Sequence, residues 1–353
     1  RLRSRGLGDV YKRQGFYLVK GMNNLVLNCD AHDNYDGYSE GDSGNVDGFG
    51  GHANKETSTG NIFRGCRAWN NGDDGFDLIN CYASYIIEYC WSFRNGYKPH
   101  SIESSGGNGA GFKSGGYGMG DIKKVPNPIP QHTVRYCLAY YNRQQGFYSN
   151  HHLGGLIFEN NTAYKNPSNY NMLNRKSSNE AVDVPGYGHI IKNNLSLSPR
   201  NSGGFPQHLI NVDNTLSEIK NNSFAPNDLN LSESDFESLN EQELMGSRKS
   251  DGSLPDINFL RLTNHANFRF SGMGCFINEE AVDYSWIQEP AIVLENGVAR
   301  IVGENSKSFN KFYVNGEEVS IENGIVDLTS MSGELNLKAI SENGAVTTLI
   351  INK

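Results

Sequence analysis

Asp73-Asp74-Gly75-Phe76-Asp77-Leu78 is the stretch on which the reading of this chain turns. Its Gly-Phe pair has counterparts at Gly15-Phe16, Gly48-Phe49, Gly111-Phe112 and Gly146-Phe147. Each pair is followed by a β-rich run that ends in Cys or Asn, as in Leu27-Asn28-Cys29, Arg64-Gly65-Cys66, Glu88-Tyr89-Cys90, Arg135-Tyr136-Cys137, Glu159-Asn160-Asn161 and Lys192-Asn193-Asn194. A small residue stands two positions later (Ala31, Ala68, Ser92, Ala139, Ala163, Ser196), and three further on comes Asn34, Asn71, Asn95, Asn142 or Asn166. Repeats of this length with short β runs and no helical period predict a strand solenoid. Coils then stack at about the strand spacing of 4.8 Å, so equivalent residues form columns. Small residues and Phe fill the interior, and stacked Asn side chains satisfy the bends. A propeller or sandwich has similar repeat lengths, but a propeller blade needs four strands where these units show two or three.

Outward from the repeat, the spacers Lys98–Ala110 and Tyr117–Gln131 flank Gly111-Phe112, and are expected to swell on one side of the solenoid and build a site there. Beyond Asn222 the repeat fades. Residues 231–246 have short helical character with a Ser234…Glu237 capping signal. Near Asp283 the pattern changes to alternating strands around Asn-Gly pairs at Asn296, Asn315, Asn323 and Asn343, a hairpin signal. The expected organisation is a solenoid over 15–280 and a small antiparallel β module, sandwich-like, over 281–353. Residues 1–14 are set apart: Asp9-Val10-Tyr11-Lys12-Arg13-Gln14 resembles the translation of a transposon-end adapter used in sequencing libraries. The natural protein is expected to begin upstream with its export signal and to act outside the cytoplasm: secreted, periplasmic or at the cell surface.

Composition narrows the partners. The net charge of -8 argues against nucleic acid, which favours a basic face. An acidic chain that grips a polyanionic sugar needs a cation or a local basic patch between them. No apolar run is long enough to span a membrane, and the chain is expected to work as a monomer. The 6 cysteines show no CxxC pair; Cys29, Cys66, Cys90 and Cys137 share one repeat position and are expected to form a buried thiol stack rather than a metal cluster.

Columns numbered from the Gly-Phe pair carry the chemistry. The residue before Gly runs Asp47, Asp74, Ala110, Gln145; the residue two after Gly runs Gly50, Asp77, Lys113, Tyr148. Asp73 adjoins Asp74. Four carboxylates and a lysine therefore meet on one edge. Clustered carboxylates repel unless a cation joins them, and hard oxygen donors without His or Cys point to calcium. A structural calcium, or an acidic turn paired with Lys113, is the plainer alternative.

These segments resemble polysaccharide lyase family 9, the calcium-dependent pectate lyases. The resemblance covers roughly Gly15–Asn267 and rests on Cys29-Asp30-Ala31-His32-Asp33-Asn34, Asn45-Val46-Asp47-Gly48-Phe49, Gly65-Cys66-Arg67-Ala68-Trp69-Asn70, Asp73-Asp74-Gly75-Phe76-Asp77-Leu78 and Asn108-Gly109-Ala110-Gly111-Phe112-Lys113, with Arg248–Leu260 similar to that family's tail. It implies an all-β, right-handed parallel β-helix, Ca2+ ligands at Asp47, Asp73, Asp74 and Asp77, and a catalytic base at Lys113. The chain departs from the family where Gly50-Gly51-His52 follow Gly48-Phe49, with Lys55 further on.

The expected reaction is β-elimination on a galacturonate-containing pectic backbone: polygalacturonate, or alternatively rhamnogalacturonan by the same mechanism. Candidate substrate contacts are Gln145, Tyr148, Arg143, His151 and Lys98, with Asn150, His152 and Lys55 nearby. Two other readings compete. A polygalacturonase-like hydrolase would use two carboxyls around a water, but leaves Lys113 without a part. A calcium-stabilised β-helix that only binds sugar would show no turnover.

Overall fold

The computed structural model describes residues 14–37, 44–117, 125–200, 207–224, 229–277, 290–295, 297–303, 306–342 and 344–353. Asn296 and Asn343 of the Asn-Gly pairs, residues 118–124 of one spacer, and residues 1–13 of the set-apart segment lie outside them.

The repeats coil into a parallel β-helix of three sheets. Sheet A stacks Phe16–Leu18, Phe49–Gly51, Phe76–Asp77, Phe112–Lys113, Phe147–Tyr148, Tyr170–Asn171 and Leu209–Ile210 in that order. Sheet B runs in seven strands from Leu25–Leu27 to Glu218–Lys220, and sheet C in six from Asp30–His32 to Leu195–Leu197. Neighbours within each sheet are parallel. Each strand is short because the chain must bend at every corner to stay on the coil.

The Gly-Phe column forms the interior. The rings of Phe16, Phe49, Phe76, Phe112 and Phe147 stack with centroids 4.8–4.9 Å apart, the strand spacing itself. Tyr170 continues the stack at 4.9 Å, although an Asn-Tyr pair replaces Gly-Phe there and removes the marker of that strand. Each fully buried Phe contributes roughly 1.5–3 kcal/mol. Cys66, Cys90 and Cys137 are buried in their column and Cys29 partly so, and all are free thiols. At the corner between sheets C and A an amide ladder runs Asn34, Asn71, Asn95, Asn142, Asn166, each Nδ2 donating to the next Oδ1 at 2.7–3.1 Å. Buried amides are thus satisfied by their own translation along the helix axis.

The corner between sheets B and C makes another demand. Asn28, Gly65, Tyr89, Tyr136, Asn160, Asn193 and Asn221 all have φ between 52° and 62°. Asn and Gly enter that left-handed region most readily. Tyr89 and Tyr136 do so with their rings stacked at 4.9 Å.

Three expectations need correction. The two spacers do not share one side. Lys98–Ala110 leads from sheet C into sheet A, whereas 114–132 leads from sheet A into sheet B, so they border Phe112–Lys113 at its two ends. The capping signal sits two residues earlier than read: Ser232 N donates to Asp235 Oδ2 at 2.8 Å ahead of a 3-10 turn over Glu233–Asp235. The third is an unexpected antiparallel hairpin, Asn174–Ser177 with Glu180–Val184, which leaves the coil after the Tyr170–Asn171 strand.

The tail closes the outer face of sheet C, with the Phe259 ring 5.1 Å from Tyr140 and Glu241 bonded to Arg94 and Tyr140. Contacts divide the chain into two compact units, Arg1–Glu243 with Ile257–Ile277, and Leu244–Asp256 with Asn278–Lys353. The second unit holds two antiparallel sheets around Phe312, Leu328, Leu337 and Ala339. Asn315-Gly316 turns one hairpin with both residues at positive φ, as a two-residue turn requires.

Candidate active site

Sheet A carries the columns read from the sequence. Gly50 pairs with Asp77, Asp77 with Lys113, and Lys113 with Tyr148. The adjoining column is locked by its own backbone: Gly48 N donates to Asp74 O, Gly75 N to Ala110 O and Gly111 N to Gln145 O, at 2.8–3.0 Å. Because the register is set by the Phe stack, these side chains have no freedom to avoid one another.

Asp47, Asp74 and Asp77 are buried, and each offers an oxygen within 4.8 Å of the others. Asp47 Oδ1 accepts from Asp74 N at 3.0 Å, and Asp74 Oδ1 from Ala110 N at 2.6 Å. Asp77 Oδ1 accepts from Ile79 N at 2.8 Å. Lys113 Nζ lies 3.1 Å from both Asp74 Oδ2 and Asp77 Oδ2. Asp74 Oδ2 is buried and meets the Lys113 ammonium, with no backbone amide of the described residues donating to it.

The electrostatics are those of an overcrowded anion. Burial, then Asp77, Asp74 and Asp73, push the Asp47 carboxyl well above the usual range. Burial, with Asp73 next, raises Asp74 to about 7. Burial alone would discharge Lys113, but Asp74, Asp77, Asp47 and Asp73 outweigh it and hold the ammonium well above its ordinary value. The lone lysine does not balance three buried carboxylates, and a divalent cation would. An all-oxygen donor set suits calcium and lacks the nitrogen and sulfur ligands of zinc or copper.

Asp73 stands apart from the three. Its Oδ2 accepts from Asn45 N at 2.6 Å, and its Oδ1 accepts from Asn108 N and, at 3.3 Å, from Gly109 N. It therefore fastens both the 44–47 segment and the Lys98–Ala110 loop to the rim of the cluster.

The other predicted residues divide. Arg143 donates to Gly107 O at 2.8 Å and Asn108 O at 3.2 Å, so its guanidinium holds the same loop. Gln145 continues the Asp47–Asp74 column, half-buried, while Lys98 stands at the base of the loop with its amide on Ser104 O. Tyr148 Oη and His151 Nε2 are 3.0 Å apart. Burial and then Asp183 push the Tyr148 phenol up to about 12. His152 is fully buried: Nδ1 accepts from Gly116 N at 3.1 Å and Nε2 faces Pro130 O at 3.0 Å. It serves packing, not an open site.

Two neighbours of the site were missed. Gln14 Nε2 donates to Asp47 Oδ2 at 2.8 Å and lies 3.0 Å from His52 Nε2. It precedes Gly15 as Asp47 precedes Gly48, so the column rule would have found it had residues 1–14 not been set apart. Asp183 Oδ1 lies 2.6 Å from His151 Nδ1 and 3.8 Å from Arg175. It sits on the unexpected hairpin, which has no place in the repeat.

Known proteins share the fold. A solved rhamnogalacturonan lyase superposes with a TM-score of 0.68 at 55% identity, covering 74% of this chain and 62% of that one. The crystal structure of pectate lyase Pel9A superposes with a TM-score of 0.57 at 34% identity, covering 72% and 56%. Pectate lyase L of Dickeya chrysanthemi is 35% identical over 265 residues, which cover 75% of this chain and 54% of the relative. The chain thus spans about half the length of that curated relative. Residues 213–348 match the family described as "Rhamnogalacturonan lyase-like, C-terminal". Residues 9–221, more than half of the chain, match the family described as "Pel9A-like, right handed beta helix region", and the protein belongs to that family of right-handed β-helices, the one its motifs resemble.

Proposed function

We propose that this protein is a calcium-dependent polysaccharide lyase that cuts a galacturonate-containing pectic backbone by β-elimination outside the cytoplasm. The observation that carries the reading is the buried Asp47–Asp74–Asp77 cluster with Lys113 Nζ 3.1 Å from two of its carboxylates. Asp47, Asp74 and Asp77 would hold calcium, with Asp73 at the rim. When bound, the ion supplies Lewis acidity to the uronate carboxylate beside the scissile bond and so acidifies the proton on C5.

Lys113 is the base. Its neutral Nζ takes the C5 proton, the C4–O bond breaks with its electron pair on the departing oxygen, which takes a proton from water, and a C4–C5 double bond remains on the new non-reducing end. Lys113 sits beside the cluster, so the charge that the carboxylates share sets its basicity. The aspartates favour the ammonium; neutralising them releases its proton. Activity therefore rises on the alkaline side, and an optimum at mildly acid pH would count against Lys113. Arg143 and Asp73 hold the Lys98–Ala110 loop against the site.

Polygalacturonate and rhamnogalacturonan both present a galacturonate with the required C5 proton. The 55% identity to a rhamnogalacturonan lyase favours the latter backbone. The test is product absorbance in the ultraviolet on both polymers, with calcium and with chelator, for wild type and Lys113→Ala. A calcium-dependent rise that the substitution abolishes supports the lyase. New reducing ends without absorbance would mean a hydrolase, and no product on either polymer would mean a sugar-binding β-helix.

A further inference from the structure

The side of the site beyond Lys113 differs in chemistry from the acidic side. Its column runs Lys113, Tyr148, Asn171, Ile210 and is uncharged after the lysine. Tyr148 is half-buried, one strand spacing from Lys113, and its hydroxyl is tied into a relay with His151 Nε2 at 3.0 Å. The other ring nitrogen, Nδ1, faces Asp183 Oδ1 at 2.6 Å. A carboxylate can only accept, so Nδ1 carries a proton, and when Nε2 carries none the phenol O–H donates to it. The phenolic oxygen keeps its lone pairs for a ligand hydroxyl.

The cations near this column are engaged: Arg143 with Gly107 and Asn108 carbonyls, Arg175 3.8 Å from Asp183, and Lys176 2.7 Å from Glu180. The exposed charge of the relay is the Asp183 carboxylate, about half open to solvent. An anionic sugar seated here would meet a like charge. A neutral one would find an aromatic face with a fixed polar edge.

We infer that Tyr148, positioned through His151 by Asp183 of the inserted hairpin, forms a subsite for a neutral sugar next to the uronate that faces Lys113. It thereby selects a backbone in which uronate and neutral sugar alternate. This deepens the lyase reading and rests on it for the placement of the uronate.

The test is binding without turnover. Lys113→Ala protein in calcium is titrated calorimetrically with a rhamnogalacturonan oligosaccharide and with an oligogalacturonate of equal length. Adding Tyr148→Ala is expected to weaken the first about tenfold and to change the second less than about twofold. Asp183→Asn, which removes the charge but not the shape, is expected to weaken the first about threefold. Thermal melting of each variant shows that the coil is intact. Equal losses on both ligands, no loss on either, or no binding by the parent would overturn the inference. Absence of unsaturated product from the wild type, with the binding preference intact, would overturn the lyase reading alone.

Discussion

Two buried charge clusters sit on neighbouring sheets, built by the same stacking rule. On sheet B, Arg64 pairs in register with Glu88, and Glu88 with Arg135. Glu88 is 0% exposed; one carboxylate oxygen takes Arg64 and the other takes Arg135 Nη2 at 2.7 Å. On sheet A, Asp47, Asp74 and Asp77 crowd together with, among the described residues, Lys113 against them. In the first column the signs alternate, so the carboxylate is met by a guanidinium on either side. In the second, like charges are stacked, which costs stability and leaves Asp74 and Asp77 sharing one ammonium. A rigid solenoid can impose either pattern. Only the unbalanced one is poised to take a cation and to change the basicity of its lysine.

That contrast can be broken by substitution. The largest effect is expected at Lys113→Ala, which should lower turnover by about 10²–10⁴ because it removes a proton acceptor, and in chelator it should also destabilise the fold, since it leaves buried carboxylates without their cation. Initial rates of absorbance increase, beside a thermal melt, check it. The mirror experiment is Glu88→Ala, which leaves two arginines facing each other. It should cost about 3–5 kcal/mol of stability in denaturant unfolding and leave the calcium requirement of any remaining activity unchanged.

Asp74→Asn probes the sign of the imbalance. In the wild type, calcium at about 100 times its dissociation constant should stabilise by about 2.7 kcal/mol, and the variant should lose most of that gain. In chelator the pH dependence runs the opposite way from an ordinary ion pair. Burial and Asp73 raise Asp74 to about 7 from its ordinary 3.8, so the folded state binds the proton more tightly. The wild type should therefore gain stability relative to Asp74→Asn as pH falls from about 7 towards 4, and lose it as pH rises through 7. Calcium should flatten that difference. Denaturant melts across pH, with calcium and with chelator, decide it. The smallest effect is expected at Arg135→Ala: its side chain is 33% exposed, so the loss should be about 1 kcal/mol or less, and a loss as large as at Glu88 would mean that the trio acts as a unit.

Most of the coil was legible because stacking is a translation. Once Gly-Phe marked the register, Asp77 and Lys113 had to be neighbours, and so did Asp47 and Asp74. The same rule lost its marker where Tyr170 took the place of Phe, although Asn194 and Ser196 of that coil still carry the repeat. It also gave position without orientation. Asp73 follows the column in sequence, yet its carboxylate accepts amides from Asn45, Asn108 and Gly109. His152 lies four residues after Tyr148, yet it points into the core.

The chain's own order of residues therefore settled the solenoid, its columns and the meeting of three aspartates with one lysine, because each follows from a repeat laid on itself at strand spacing. Only the tertiary structure decided what surrounds them: the loop amides on Asp73, Arg143 as a brace for that loop, and Asp183 reaching His151 from a hairpin outside the coil. Those contacts join segments that share no period, so no register rule relates them until the chain has folded.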